Sequence, residues 1–233
     1  MAEAYVSDNL APVLRLVLAS RSPARLATLR SAGVEPIVQV SGVDEDAVLA
    51  DARSRAEHLG PDDAVLLLAQ AKAEDVAHRI GGSDEAVAGG AAGTVVVGCD
   101  SMLEIDGEVV GKPAGPDAAR ERWRAMRGGK GVLHSGHWLV DLRDGDAGGT
   151  GATIGATSST TVWFGHMDDD EIDAYVATGE PLEVAGAFTI DGLGGPYIDR
   201  VEGDHHGVVG ISLPLLRALL HDIGVPWHTL RTA

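Results

Sequence analysis

Residues 14–33 read LRLVLASRSPARLATLRSAG. An apolar run over 14–19 ends in Ser-Arg-Ser-Pro, and a helical pattern starts at Pro23, runs over 23–32 and stops at Gly33. A short buried strand handing straight to a helix is the basic step of an α/β fold. Ser22 is placed to cap the helix through its hydroxyl, and Pro23 suits the first helical position because it has no N–H to leave unpaired. The free N–H groups of such a helix start also attract phosphate, and Arg21 and Arg25 add charged donors nearby. A well-made helix start with solvated arginines accounts for the same residues from this stretch alone.

Working outward, EPIVQVSGVDED at 35–46 reads as a strand leading into an acidic loop, and 62–80 as a helix with acidic residues at its start. The Gly/Ala-rich tract 81–93 has no period and reads as a connection. TVVVGCD at 94–100 is a β-branched run expected to form a central strand, followed at 102–110 by a hairpin turning on Asp-Gly. A helix is expected over 116–128, and two long strands over 131–165 with a glycine-rich tip. Another helix is expected over 168–181, then a glycine-rich loop at 191–196, a short strand and an amphipathic helix at 212–224. Hairpins mixed with strand-to-helix steps imply an extended mixed β-sheet flanked by helices rather than a purely parallel one.

Composition narrows the function. The 233 residues carry a formal net charge of −17, with a pI near 4.7. Binding along a nucleic-acid polymer needs displaced counterions and hence many Lys and Arg, so that class is disfavoured. A small polyanion remains open if a few basic residues converge, and the acidic field favours a divalent cation. The lone cysteine, Cys99, excludes an intramolecular disulfide. The N-terminal residues lack the pattern of a signal peptide, and no apolar stretch approaches the ~18–20 residues that span a bilayer. A cytoplasmic protein without a membrane partner is expected.

The candidate chemistry lies in a few short clusters. Adjacent carboxylates in VDED at 43–46 suit oxygen ligation of Mg²⁺, and also suit an ordinary solvated loop. Asp100 ends the buried run VVVG-Cys99, a costly place for an unpaired carboxylate; the alternative is the first exposed residue after a strand. Cys99 reads as a small core residue rather than a nucleophile. Lys72, in an alanine-rich helix, and Lys112, in GKP after the hairpin, are point charges suited to phosphate. RGGKG at 127–131 lacks the spacing of a P-loop, GDHHG at 203–207 reads as a turn, and no GxSxG marks a serine hydrolase.

Taken in order, LASRSPARLATLRSAG, VSGVDED, LAQAKA, GCDSMLEIDGEVVGKP, TTVWFG with EIDAYVATGEP, VAGAFTIDGLGG and VEGDHHGVVGISLPLL resemble the Maf family of nucleoside triphosphate pyrophosphatases. That family is related in fold to inosine triphosphatases, and the resemblance covers about residues 14–225. It implies one domain over 1–233, with two lobes around a central cleft, a flexible start over 1–13 and frequent homodimerisation. It further implies metal-dependent hydrolysis of a nucleoside triphosphate to the monophosphate and pyrophosphate, with Mg²⁺ or Mn²⁺ as cofactor. House-cleaning of non-canonical nucleotides is one implied role, and a nucleotide-binding regulator of septum formation without turnover is the alternative.

Carried over by position, the resemblance makes Asp100 the catalytic base and, with Glu45, a metal ligand. It makes Ser20, Ser22, Arg25, Lys72 and Lys112 the phosphate-binding residues. The specificity-linked positions depart from the family's patterns: Ala24 stands where one branch has arginine and another tryptophan, Ser101 where threonine is common, and Asp191 where the branches have Gln or Glu. Gly131 likewise replaces the usual histidine. The resemblance therefore implies the reaction without the base.

Overall fold

A computed structural model describes residues 14–56, 58–82 and 93–231. The 1–13 start, and most of the 81–93 connection, lie outside the described residues. In chain order the elements are β1 (Arg15–Leu18), α1 (Pro23–Ser31), β2 (Ile37–Val38), α2 (Glu45–Arg55), α3 (Pro61–Gly81), β3 (Thr94–Ile105) and β4 (Glu108–Val110). There follow α4 (Pro116–Met126), β5 (Lys130–Asp141), β6 (Thr153–Phe164), α5 (Asp169–Ala177), β7 (Ile198–Glu202), α6 (His205–Val209) and α7 (Leu213–Asp222).

The strands form one mixed sheet in the order β2-β1-β3-β5-β6-β7, with β4 also paired to β3. β1 runs parallel to β2 and β3; the other pairings are antiparallel. The expected α/β mixed sheet is therefore the observed architecture, and no described helix is long and apolar enough to cross a membrane.

Three expectations are corrected. The run 94–100 and the first arm of the hairpin are one continuous strand, so Asp100 lies in the middle of β3 and not at its end. Pairing with β5 holds the strand together, continuing unbroken from Val95 to Glu104. The Asp-Gly turn itself is as read: Asp106 and Gly107 both have positive φ, as a tight hairpin turn demands. In the acidic segment only Ile37–Val38 is strand, and Glu45 opens α2. Asp44 caps that helix by accepting from the Ala47 N–H, while Glu45 and Asp46 sit on its positive end. GDHHG opens the short helix α6 under the cap of Asp204 rather than forming a bare turn.

β3 has a discontinuity on one side. Against β5 it is covered almost throughout, whereas the opposite edge pairs with β1 only over Thr94–Val97 and with β4 only over Leu103–Ile105. From Gly98 to Met102 that edge has no strand partner among the described residues. Hydrophobic cores flank this gap. At one end, Leu29, Val95, Val97, Leu139, Leu216 and Leu220 pack beneath α1 and α7, and Val17, Ala73, Val76 and Val96 beneath α3 on the opposite face. At the other end, Leu103, Trp123, Phe164, Ile172 and Phe188 form a separate core with α4 and α5. The open edge of β3 thus lies between separate hydrophobic cores.

The strand period decides which way each residue of the gap points. Val96, Gly98 and Asp100 alternate onto the face that carries α3, while Val97, Cys99 and Ser101 face the other way. Gly98 lets α3 come in unusually close: a Cβ there would lie 2.1 Å from the Ala69 carbonyl oxygen. Gly136, directly across the ladder from Asp100, does the same, since its Cβ would lie 2.3 Å from the Val65 carbonyl oxygen. α3 therefore rests on bare backbone beside Asp100.

Candidate active site

That close approach brings Lys72 of α3 to Asp100 of β3. The Lys72 ammonium donates to Asp100 Oδ1 at 2.5 Å and lies 2.9 Å from Glu45 Oε1, so two carboxylates from different elements converge on one cation. Asp100 and Lys72 are 8% and 7% exposed, while Glu45 is partly open to the cleft. Burial pushes the Asp100 carboxyl above its ordinary range, against the downward pull of Lys72 and Arg25. A carboxylate whose proton affinity is raised toward neutrality is better matched to accepting a proton from water.

Arg25 occupies the open edge. Its Nη1 donates to the Cys99 carbonyl oxygen at 2.8 Å and to Ser20 Oγ at 3.1 Å, its Nε to the Gly210 carbonyl oxygen at 2.8 Å, and its Nη2 to Ser101 Oγ at 3.0 Å. These bonds use four of the five guanidinium N–H donors. The hydroxyls extend the chain. Ser135 donates to the Gly207 carbonyl oxygen, so Ser101 is the donor in its 2.8 Å bond to Ser135. The α1 loop, β3, β5 and the α6 region are thereby laced together from one side chain.

Ser20 and Ser22 are placed as expected at the start of α1. Ser20 Oγ accepts from the Ser22 N–H and from Arg25, and Ser22 Oγ caps α1 by accepting from the Arg25 N–H. Cys99 is fully buried and its thiol is pushed up to about 11 by burial, in keeping with a core residue. Lys112 stands across the cleft, just past β4. Its loop is anchored through the Gly111 carbonyl oxygen, which accepts from the Gly186 N–H and from Arg122.

The cleft contains two adjoining chambers. The larger, about 480 Å³, is lined by Glu45, Asp46, Lys72, Asp100, Ser101 and Lys112, with apolar residues of α2 and β4. The smaller, about 100 Å³, is lined by Ser20, Ser22, Arg25, Glu45 and Lys72. Arg21 also borders both. The larger chamber has the size of a small-molecule site.

The specificity-linked residues do not gather there. Ala24 lies on α1 and lines neither chamber, and exposed Asp191 sits in the 189–194 loop, gathered by Leu193 and Gly194 N–H bonds to Glu180. Of these three, only Ser101 reaches the cleft, and it is committed to Arg25 and Ser135. The sequence reading missed Gly98, Gly136 and Ser135, whereas Asp46 belongs to the VDED cluster that it did single out. A glycine inside a β-branched run is the signal that could have exposed the first two.

Comparison with known proteins settles the family. The model of the family described as Maf-like protein matches residues 15–223. The chain belongs to the Maf family. It is 54% identical over 217 residues to a protein of Leifsonia xyli subsp. xyli, covering 93% of this chain and 96% of that one. A Salinispora tropica protein is 54% identical over 213 residues, covering 91% and 85%. A Streptomyces coelicolor protein is 50% identical over 213 residues, covering 91% and 92%. All three relatives of this Maf chain carry the name nucleoside triphosphate pyrophosphatase.

Proposed function

We propose that this Maf protein hydrolyses a nucleoside triphosphate to the nucleoside monophosphate and pyrophosphate. The observation that carries this reading is the buried Asp100–Lys72 pair, joined by Glu45, at the gap in β3. The activity named for relatives at 50–54% identity supports it. Water attacks the α-phosphorus, the bond to the bridging oxygen of the β-phosphate breaks, and pyrophosphate leaves with that oxygen. Asp100 orients the water and takes its proton; burial, by raising its proton affinity, suits it to the task. Lys72 and Lys112 oppose the charge growing on the phosphate oxygens, with the hydroxyls of Ser20 and Ser22 beside them.

A divalent cation fits the residues present. Glu45 and Asp100 supply hard carboxylate oxygens that already converge on one positive centre, and Asp46 borders the same chamber. Glu45 and Asp100 would hold Mg²⁺ or Mn²⁺, which when bound offsets phosphate charge. The base is not assigned, because Ala24 and Asp191 lie off the cleft walls and Ser101 is held in the arginine network.

The test is a panel of canonical and modified nucleoside triphosphates with Mg²⁺ or Mn²⁺, resolving pyrophosphate from phosphate. Pyrophosphate release is expected, and Asp100→Asn should lower kcat by about 10²–10⁴ while nucleotide still binds. Phosphate release in place of pyrophosphate, or binding without turnover across the panel, would overturn the reading.

A further inference from the structure

We infer that Arg21, at the mouth of the cleft, grips the pyrophosphate end of the substrate, while Arg25 braces the loop from beneath with four of its five guanidinium donors. This rests on the pyrophosphatase reading above and assigns one more residue to it.

The argument starts from what each cation of the cleft is already doing. Lys72 is held between Glu45 and Asp100. Arg25 has four N–H donors committed to Ser20, Ser101 and the carbonyl oxygens of Cys99 and Gly210. That leaves Arg25 a single N–H for a ligand unless bonds that hold the fold are given up. Arg21 is exposed, and among the described residues it has neither a hydrogen bond nor an ion pair. In a chain with net charge −17, a guanidinium left uncompensated at the mouth of a cleft is available to an incoming anion.

Position supports the same assignment. Arg21, Glu45 and Lys72 are the residues that border both chambers. The larger chamber holds Asp100 together with the apolar side chains Leu49, Met102 and Val109, which suits the nucleoside and the α-phosphate under attack. The smaller chamber is walled by Ser20, Ser22 and the start of α1, which suits the phosphates that leave. Arg21 stands where the α-phosphate gives way to the pyrophosphate. Its charge-assisted donors reach the leaving group without dismantling any contact seen in the structure.

Calorimetric titration with inorganic pyrophosphate in magnesium buffer, on the wild type, R21A, R21K and R25K, tests the assignment. R21A should bind pyrophosphate about 10- to 100-fold more weakly with its Tm within about 1 °C of wild type, the loss expected for one charge-assisted contact. R21K should recover to within about fivefold, because a lysine keeps the charge. R25K should lower the Tm by several degrees through its lost bonds to β3 and Gly210. Wild-type affinity in R21A, or an equal loss in R21K and R21A, would overturn the assignment. An enzyme that releases no pyrophosphate from any nucleotide would instead count against the catalytic reading, since these binding ratios require no turnover.

Discussion

Two buried aspartates on the same pair of strands meet opposite fates. Asp100 of β3 and Asp141 of β5 lie five residue pairs apart on one ladder, since Asp100 faces Gly136 and Asp141 faces Val95. Asp141 is saturated: its carboxylate accepts from the Arg143 N–H, from Arg143 Nε and Nη2, and from the N–H and hydroxyl of Thr150. Burial alone would raise its proton affinity, but those bonds pull it down to about 2. Asp100 has Lys72 as its hydrogen-bonding partner among the described residues, and burial prevails. A buried carboxylate is thus no mark of chemistry by itself. One ringed by donors pins a loop, and one left short of donors beside a cleft is ready to exchange protons.

Crossed substitutions should separate the two sharply. Asp100→Asn is expected to cost about 10²–10⁴ in kcat and to leave the Tm unchanged or higher, since the fold disfavours the charged form it removes. Asp141→Asn should leave kcat of the folded enzyme near wild type and destabilise by about 3–5 kcal/mol, the cost of stranding Arg143 at a buried pair. Thermal melts paired with kinetics on both variants would break the contrast if each lost both properties.

A third buried group sharpens it. His137, next along β5 from the residue facing Asp100, receives the Ser212 N–H on Nε2 and bonds the Ser135 carbonyl oxygen through Nδ1, which fixes it as neutral. Burial, assisted by Arg25, lowers it to about 4 from 6.5. As pH falls, the unfolded chain takes up this proton first. The stability is therefore full above pH 6.5 and is lost on descending toward pH 4, on the order of 3 kcal/mol in all. Asp141 loses its share lower still, from about pH 4 toward 2. Denaturant melts from pH 8 to 4 should show the His137 slope in wild type and lose it in His137→Gln.

Smaller effects probe how Asp100 acquires its partner. Gly98→Ala should push α3 off the sheet at Ala69, costing about 1–3 kcal/mol and lowering kcat as Lys72 is drawn from Asp100. An unchanged kcat would mean that the spacing of α3 does not set the site. Ser101→Ala, which removes one bond from Arg25 and one to Ser135, should cost about 1 kcal/mol in a melt and leave base preference as it was.

Much of this was legible in the sequence where local pattern and function coincide. The β1–α1 handover with its Ser22 cap, the Asp106-Gly107 turn and the two long strands β5 and β6 all follow from periodicity and turn chemistry. Asp100, Lys72 and Glu45 each stand out in the sequence, although nothing local shows that they meet. What failed was whatever depended on a distant element. The run through Asp100 looked like a strand end because a polar pair interrupts it, yet pairing with β5 carries it to Ile105. Asp44, Glu45 and Asp46 looked like a loop because α2 buries no residue fully and shows no apolar stripe, and their capping role emerges only once the helix is seen. The bracing bonds of Arg25 to Gly210, Cys99 and Ser101 leave no local trace, because those partners lie 185, 74 and 76 residues away.

The gap in β3 also fixes how the cleft can move. β3, β5 and β6 each contribute side chains to the cores at both ends, so the two banks of the gap are joined by continuous strands. Lys112 on one bank and Arg21 on the other follow strands of the same sheet, β4 and β1. The cleft is thus framed by a leaf of shared strands rather than by a linker, so a movement of one bank against the other would have to bend the sheet itself.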